Sequence, residues 1–235
     1  MSELTWDTLY IDHAGEYEIL VSHEDYQQAL VEAIQRIQPL AGRIAAEFGA
    51  GTGRVTGLLA GRVRRLHAFD LSTPMLRVAQ DKLGRDAWKN VSLTVADSRR
   101  MPCRSGWADL AIEGWAFLHI AVIFPQDWQV QLARALDEMQ RLVRPGGKMI
   151  LIETLGTGES TPKVVPFFRK VYDFLEAERG FAPIDIRTDY CFETMEQIKQ
   201  VVIPLFGQEM LERLVRIRAG WVLPECTGLW WREIN

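Results

Sequence analysis

Short apolar runs alternate with stretches of helical periodicity along most of the chain. Over residues 22–38, Tyr26, Leu30, Ile34 and Ile37 fall at helical spacing, with Ser22 as the candidate N-cap, Glu24 and Asp25 in the first turn, and Pro39 as the stop. Residues 43–48 form a short apolar run that predicts a buried strand. A glycine-rich turn at 49–53 follows, and Val55, Leu58 and Leu59 open a helix running towards Gly61. Residues 66–70 predict a second strand, and Ser72, Thr73 and Pro74 cap and start a helix over 75–83. Residues 91–97 alternate apolar and polar as a third strand, and 107–113 form a fourth. A helix over 128–143 stops before the turn Pro145-Gly146-Gly147, and 148–153 make a fifth strand.

Strands alternating with helices predict βαβ units and a mostly parallel sheet. In such sheets ligands bind beyond the carboxyl ends of the strands. Gly49, Asp70, Asp97 and Glu113 all fall at or just past a predicted strand end, so four distinctive positions converge on one edge. After Thr154 the pattern changes. Residues 162–179 predict an aromatic-rich helix, 184–192 a strand, 193–206 and 208–218 helices, and 228–234 a last strand. No Gly/Ser/Pro linker separates this tail, so the expectation is one domain over 1–235: an N-terminal cap over 1–40, a ligand-binding core over 41–155, and 156–235 as the remaining strands and a substrate cap.

Composition changes little. The chain has 235 residues, 48% of them hydrophobic, and a net charge of −4, which is ordinary for a soluble globular protein. The sign argues against a nucleic-acid partner. The basic run Arg62-Val63-Arg64-Arg65 is expected to be a solvated helix end. Cys103, Cys191 and Cys226 lie far apart without metal-type spacing, so reduced thiols, no metal site and a cytoplasmic location are expected. No signal peptide or membrane-length apolar run is seen, and nothing in the sequence fixes an oligomeric state.

Gly49, Gly51 and Gly53 stand at alternate positions between strand and helix, where glycine permits positive φ and close ligand approach. The helix that follows offers free N–H groups. Such a turn suits a dinucleotide phosphate or a carboxylate. The spacing is Gly-x-Gly-x-Gly rather than the dinucleotide Gly-x-Gly-x-x-Gly. Glu47 precedes it, placed to accept from an ammonium group or the loop backbone, and Asp70 ends the next strand where ribose hydroxyls are read.

The run Ala46-Glu47-Phe48-Gly49-Ala50-Gly51-Thr52-Gly53 resembles motif I of the class I S-adenosylmethionine (SAM)-dependent methyltransferases. Residues 69–76, with Asp70, Leu71 and Met75, resemble motif II; 95–98, with Asp97 and Ser98, resemble motif III; 107–112 resemble the fourth strand, and 142–148 the turn before strand five. The match is closest to the small-molecule methyltransferases. The resemblance implies a Rossmann-like α/β fold: a seven-stranded, mostly parallel sheet with an antiparallel last strand and helices on both faces. It implies SAM as cofactor, S-adenosylhomocysteine as product and a small-molecule acceptor. The implied cofactor residues are Tyr17, Glu47, Gly49, Ala50, Gly51, Thr52, Gly53, Asp70, Leu71, Met75, Asp97, Ser98, Gly114 and Trp115.

Methyl transfer from a sulfonium needs alignment and a dry pocket, and a base only where the nucleophile must lose a proton. His119, just past the fourth strand, is the first candidate base, against a plain role in capping or packing the next helix. Glu113 is the second, against a strand-end carboxylate bonding its loop, and His13 the third. Trp6, Trp115, Phe167, Phe168, Tyr172, Phe181, Tyr190, Trp221, Trp230 and Trp231 are candidates for an aromatic substrate wall or for core. The Asp/Asn-Pro-Pro-aromatic motif of exocyclic-amine methyltransferases is absent, with Glu113-Gly114-Trp115-Ala116 in its place. Two other readings stay open: a SAM-binding protein without turnover and, through the glycine loop, a nucleotide-dependent oxidoreductase.

Overall fold

A computed structural model describes residues 14–86 and 88–235. His13 and Trp6 lie outside the described residues. Five parallel strands build most of the sheet: β1 (Ile44–Phe48), β2 (Arg65–Asp70), β3 (Val91–Val95), β4 (Ala108–Gly114) and β5 (Val143–Thr157). Two later strands, β6 (Ala182–Arg187) and β10 (Glu225–Glu233), complete it in the order β3-β2-β1-β4-β5-β10-β6. β10 runs antiparallel to both β5 and β6, so the last strand in sequence is slotted inside the sheet.

Period-two alternation sends neighbouring residues to opposite faces. Ala46, Ala111, Leu151 and Trp230 join one buried cluster, with residues of α5 (Phe117–Ile123), α6 (Trp128–Leu142) and α7 (Pro166–Asp173). Ala45, Leu110, Ile150 and Leu229 join the other, with α2 (Ala29–Ile37) and α3 (Arg54–Ala60). The adjacent Trp230 and Trp231 thus split between the faces, as the sequence predicts. Tyr172 stacks on Trp230 at 4.2 Å, and its hydroxyl donates to Thr154 O at 2.5 Å.

Four expectations need correction. Residues 22–38 are not one helix: α1 (Ala14–Val21) ends before Ser22, whose hydroxyl donates back to Ile19 O at 2.7 Å. Gln28 is the N-cap residue of α2, and Asp25 Oδ2, from three residues before it, accepts from Leu30 N at 3.1 Å. The turn at 145–147 is a bulge inside β5, because Ala108 pairs with Val143 while Leu110 pairs with Lys148. The run 184–192 is two strands in two sheets, β6 and β7 (Tyr190–Phe192), broken at Thr188 and Asp189. The run 208–218 is a 3₁₀ turn at Gln208–Arg213 followed by β8 (Val215–Ile217).

β7, β9 (Gly220–Leu223) and β8 form a separate three-stranded sheet. It packs on α8 (Met195–Phe206) and on Leu20 of α1, bringing α1 against residues 190–223 in one small core. A capping box between Thr194 and Gln197 starts α8. No helix among the described residues is long and apolar enough to cross a membrane. The remaining helix, α4 (Thr73–Asp86), lies over β2 through Leu76 and Ala68.

Candidate functional site

β1, β2, β3 and β4 end together, and a cavity of about 610 Å³ opens across their carboxyl ends. That volume suits a small ligand. The sequence-predicted Tyr17, Glu47, Gly49, Ala50, Gly51, Thr52, Asp70, Leu71, Met75, Asp97, Ser98, Gly114, Trp115 and His119 all line it.

Alternate glycines give the loop its shape. Gly49, Gly51 and Gly53 have φ of 67°, 54° and 85°, a region costly for other residues. A Cβ on Gly49 would lie 2.3 Å from that of Ala116, whereas one on Gly51 would meet nothing within 4 Å. Gly49 is therefore a packing requirement, while Gly51 leaves ligand space. Gly53 does not line the cavity; it begins α3, where a Cβ would lie 3.2 Å from that of Ala79.

The carboxylates differ in environment. Asp70 accepts from Gly51 N through Oδ2 and from Ser72 N through Oδ1, each at 2.7 Å. Burial pushes its carboxyl up, and those backbone donors oppose the rise. Each oxygen keeps a lone pair for a ligand hydroxyl. Glu47 is buried, accepts from the Thr56 hydroxyl at 2.7 Å, and is pushed up to about 8, first by burial. Asp97 is held low by Arg99, which grips both its oxygens at 2.7–3.2 Å. The Arg99 guanidinium also lies 4.7 Å from the centre of the Phe124 ring and donates to Gln131 Oε1 at 2.9 Å.

Arg54 forms an ion pair with Glu24 and lies 3.2 Å over the Trp115 ring. Trp115 has φ of 54°, so the chain leaves β4 in a conformation disfavoured for a tryptophan. The Thr52 hydroxyl is buried and makes no hydrogen bond within the described residues. Leu71 is 67% exposed on the cavity wall, an apolar surface with space for a flat ligand group.

The two candidate bases separate. His119 lines the cavity, and burial pushes its imidazole down to about 4, leaving the ring neutral at pH 7. Glu113 is fully buried and absent from the wall. Its Oε2 accepts from Ala116 N at 3.1 Å and Phe117 N at 3.4 Å, at the start of α5. Burial and the neighbouring Glu153 raise its pKa. Glu153 accepts from Leu118 N at 2.8 Å, so the pair serves one helix start.

Sequence reasoning missed Arg54, Arg99, Ile120, Ile123 and Phe124, all of which line the cavity. Their only sequence signal is adjacency to the motifs and to His119. The lining residues run from Tyr17 to Phe124, so 156–235 does not line the cavity as the expected substrate cap would. Its Tyr190 instead stands behind the wall, close to Glu24 and Arg54. Phe167, Phe168, Tyr172, Phe181 and Trp230 belong to one core; Tyr190 and Trp221 pack with the small sheet, and Trp231 against the opposite sheet face.

Residues 46–151 match a family model described as a methyltransferase domain. A demethylmenaquinone methyltransferase of Clavibacter sepedonicus is 29% identical over 143 residues, covering 61% of this chain and 51% of that protein. The chain thus spans about half the length of that relative. An uncharacterized methyltransferase of Anoxybacillus flavithermus is 23% identical over 191 residues, 79% of this chain and 77% of its own. Among solved structures, phosphoethanolamine N-methyltransferase 2 of Haemonchus contortus, bound to phosphomonomethylethanolamine and S-adenosylhomocysteine, superposes with a TM-score of 0.60. It is 16% identical, covering 97% of this chain and 58% of that one, a likeness of fold. Over residues 46–151 the chain is similar to a methyltransferase domain, and its seven-stranded sheet, with the strand β10 antiparallel, is similar in fold to a solved methyltransferase.

Proposed function

We propose that the chain transfers a methyl group from SAM to a small-molecule acceptor, with the cofactor held across the glycine loop. The observation that carries this reading is the charge on the cavity wall. Both lining arginines are committed, Arg54 to Glu24 and Arg99 to Asp97. Asp70 keeps acceptor capacity for ligand hydroxyls, and Glu47, pushed up to about 8 by burial, is a mostly protonated acid near pH 7 that a ligand ammonium beside it would draw towards its charged form. A dinucleotide pyrophosphate would find no uncommitted cation among the described lining residues, whereas a ligand carrying ribose hydroxyls and an ammonium would find acceptors for both.

In this reading Asp70 would hold the ribose hydroxyls, Leu71 would cover the adenine, and the Thr52 hydroxyl would donate to the carboxylate end. Asp97 keeps lone pairs beyond its Arg99 contacts for the adenine amino group. Glu47 and Tyr17 would flank the methionine portion. SAM, when bound, supplies an electrophilic methyl group on sulfur. The protein's share is to align the acceptor and exclude water. His119, rather than Glu113, is the group we place beside the acceptor, because it lines the cavity and its neutral ring can accept a hydrogen bond. Relatives of this fold are named for small acceptors, demethylmenaquinone and phosphoethanolamine among them, which supports the acceptor class.

Calorimetry with SAM, S-adenosylhomocysteine and NAD tests the cofactor. Binding of the first two and not the third is expected; NAD binding without SAM binding would overturn the reading. Turnover is then checked by release of S-adenosylhomocysteine in the presence of candidate acceptors.

A further inference from the structure

A second cavity, of about 230 Å³, lies at the opposite edge of the sheet. Its lining comes from residues at strand beginnings: Arg43 before β1, Arg64 before β2, Trp107 and Asp109 at the start of β4, and Arg144 in the β5 bulge. Three guanidinium groups therefore face a single carboxylate, in a chain whose net charge is −4.

That carboxylate is already fully used. Asp109 Oδ2 accepts from Ile44 N at 2.8 Å. Oδ1 receives both Arg43, at 3.4 Å, and Arg144. Arg64 makes no ion pair among the described residues, and it is exposed. The basic run at 62–65 therefore divides: Arg62 donates to Leu58 O at 2.8 Å as a helix-end cation, while Arg64 turns to this cavity.

We propose that this cavity binds a compact tetrahedral dianion of the phosphate type between Arg43, Arg64 and Arg144, against the Trp107 ring. The local excess of two positive charges matches a dianion. Guanidinium forks present paired N–H groups at the spacing of two phosphate oxygens. The Trp107 ring, packed edge-on against His67 at 4.9 Å, walls one side with apolar surface and so strengthens the charge attraction. The volume of about 230 Å³ admits a phosphate group with its bound water and is too small to enclose a dinucleotide. This site is independent of the methyl-transfer reading, since the glycine loop lies at the other ends of β1 and β4.

The test is a titration of the full chain with inorganic phosphate, followed by the NMR signal of the Trp107 indole N–H. Trp107→Phe assigns that signal, and chloride at equal ionic strength is the control. Saturable movement is expected with phosphate and none with chloride. Arg64→Gln should weaken phosphate binding by about tenfold or more, the loss of one charge-assisted contact. Its folding is not at stake, because Arg64 is exposed and unpaired, and an unchanged melting temperature would verify this. No saturable movement with phosphate, equal movement with chloride, or an unchanged affinity in Arg64→Gln would overturn the proposal.

Discussion

Asp70 spends one oxygen on the glycine loop and the other on the start of α4, so a single carboxylate sets the distance between two walls of the cavity. Asp70→Ala should therefore weaken SAM binding by about 1–3 kcal/mol, combining lost ribose contacts with a loosened loop. Calorimetry of the variant checks this, and unchanged affinity would put the ribose elsewhere. The residues legible in the sequence were those whose signal is local. Glu47, the glycines, Asp70 and Asp97 sit at fixed offsets from strand ends, where chain geometry alone brings them to one edge. Arg54 was not legible, because its meaning depends on Glu24 and Trp115, neither close to it in sequence. Glu113 was legible as a strand-end acid, yet only the structure shows its Oε2 turned to the backbone at the start of α5.

At the scale of elements, the glycine turn joins β1 to α3 and makes two separable demands. Gly49→Ala places a methyl against Ala116 at a positive φ and should cost about 1–3 kcal/mol of stability, read by denaturant unfolding. Gly51→Ala meets open space, so its stability cost is about 1 kcal/mol from backbone strain. Its methyl occupies the cavity, so SAM affinity should fall more than stability. Equal effects of the two variants on both measurements would show that the loop is not divided this way. β1 to β4 and the central part of β5 were read correctly because each βα unit pairs a short apolar run with a nearby turn. The run 184–192 misled because a chain that changes sheets at Thr188 keeps the same apolar alternation on both sides of the switch. The run 208–218 misled likewise: its apolar spacing fits a helix, but Val215–Ile217 pairs with β9.

Across the whole molecule, burial of acids sets the dependence on pH. Glu47 is pushed up to about 8, and Glu153 and Glu225 are raised in the same direction by burial. Between the ordinary carboxylate range and the raised values, the folded chain holds protons that the unfolded chain has released. Stability from these groups is thus lost as pH rises through that window. His119 acts oppositely, but only as pH falls below the ordinary imidazole range towards about 4. The unliganded protein should melt at a higher temperature near about pH 6 than near about pH 8.5. A flat or rising profile would show these acids ionised in the fold.

The slot that β10 fills between β5 and β6 also orders events during synthesis. Among the described residues β6 pairs with β10 and with no other strand, and β10 begins 38 residues after β6 ends. At ribosomal speeds the wait is on the order of a few seconds, far longer than a hairpin needs to form. Until β10 emerges, β5 presents an open edge and β6 has no neighbour, the conditions under which nascent chains pair with one another. In the Rossmann-like half that carries the glycine loop, each strand from β2 to β5 meets a partner already made: β2 and β4 on β1, β3 on β2, and β5 on β4. A ribosome stalled ahead of β10 would therefore hold a chain whose cofactor loop is framed by paired strands while its sheet still lacks two.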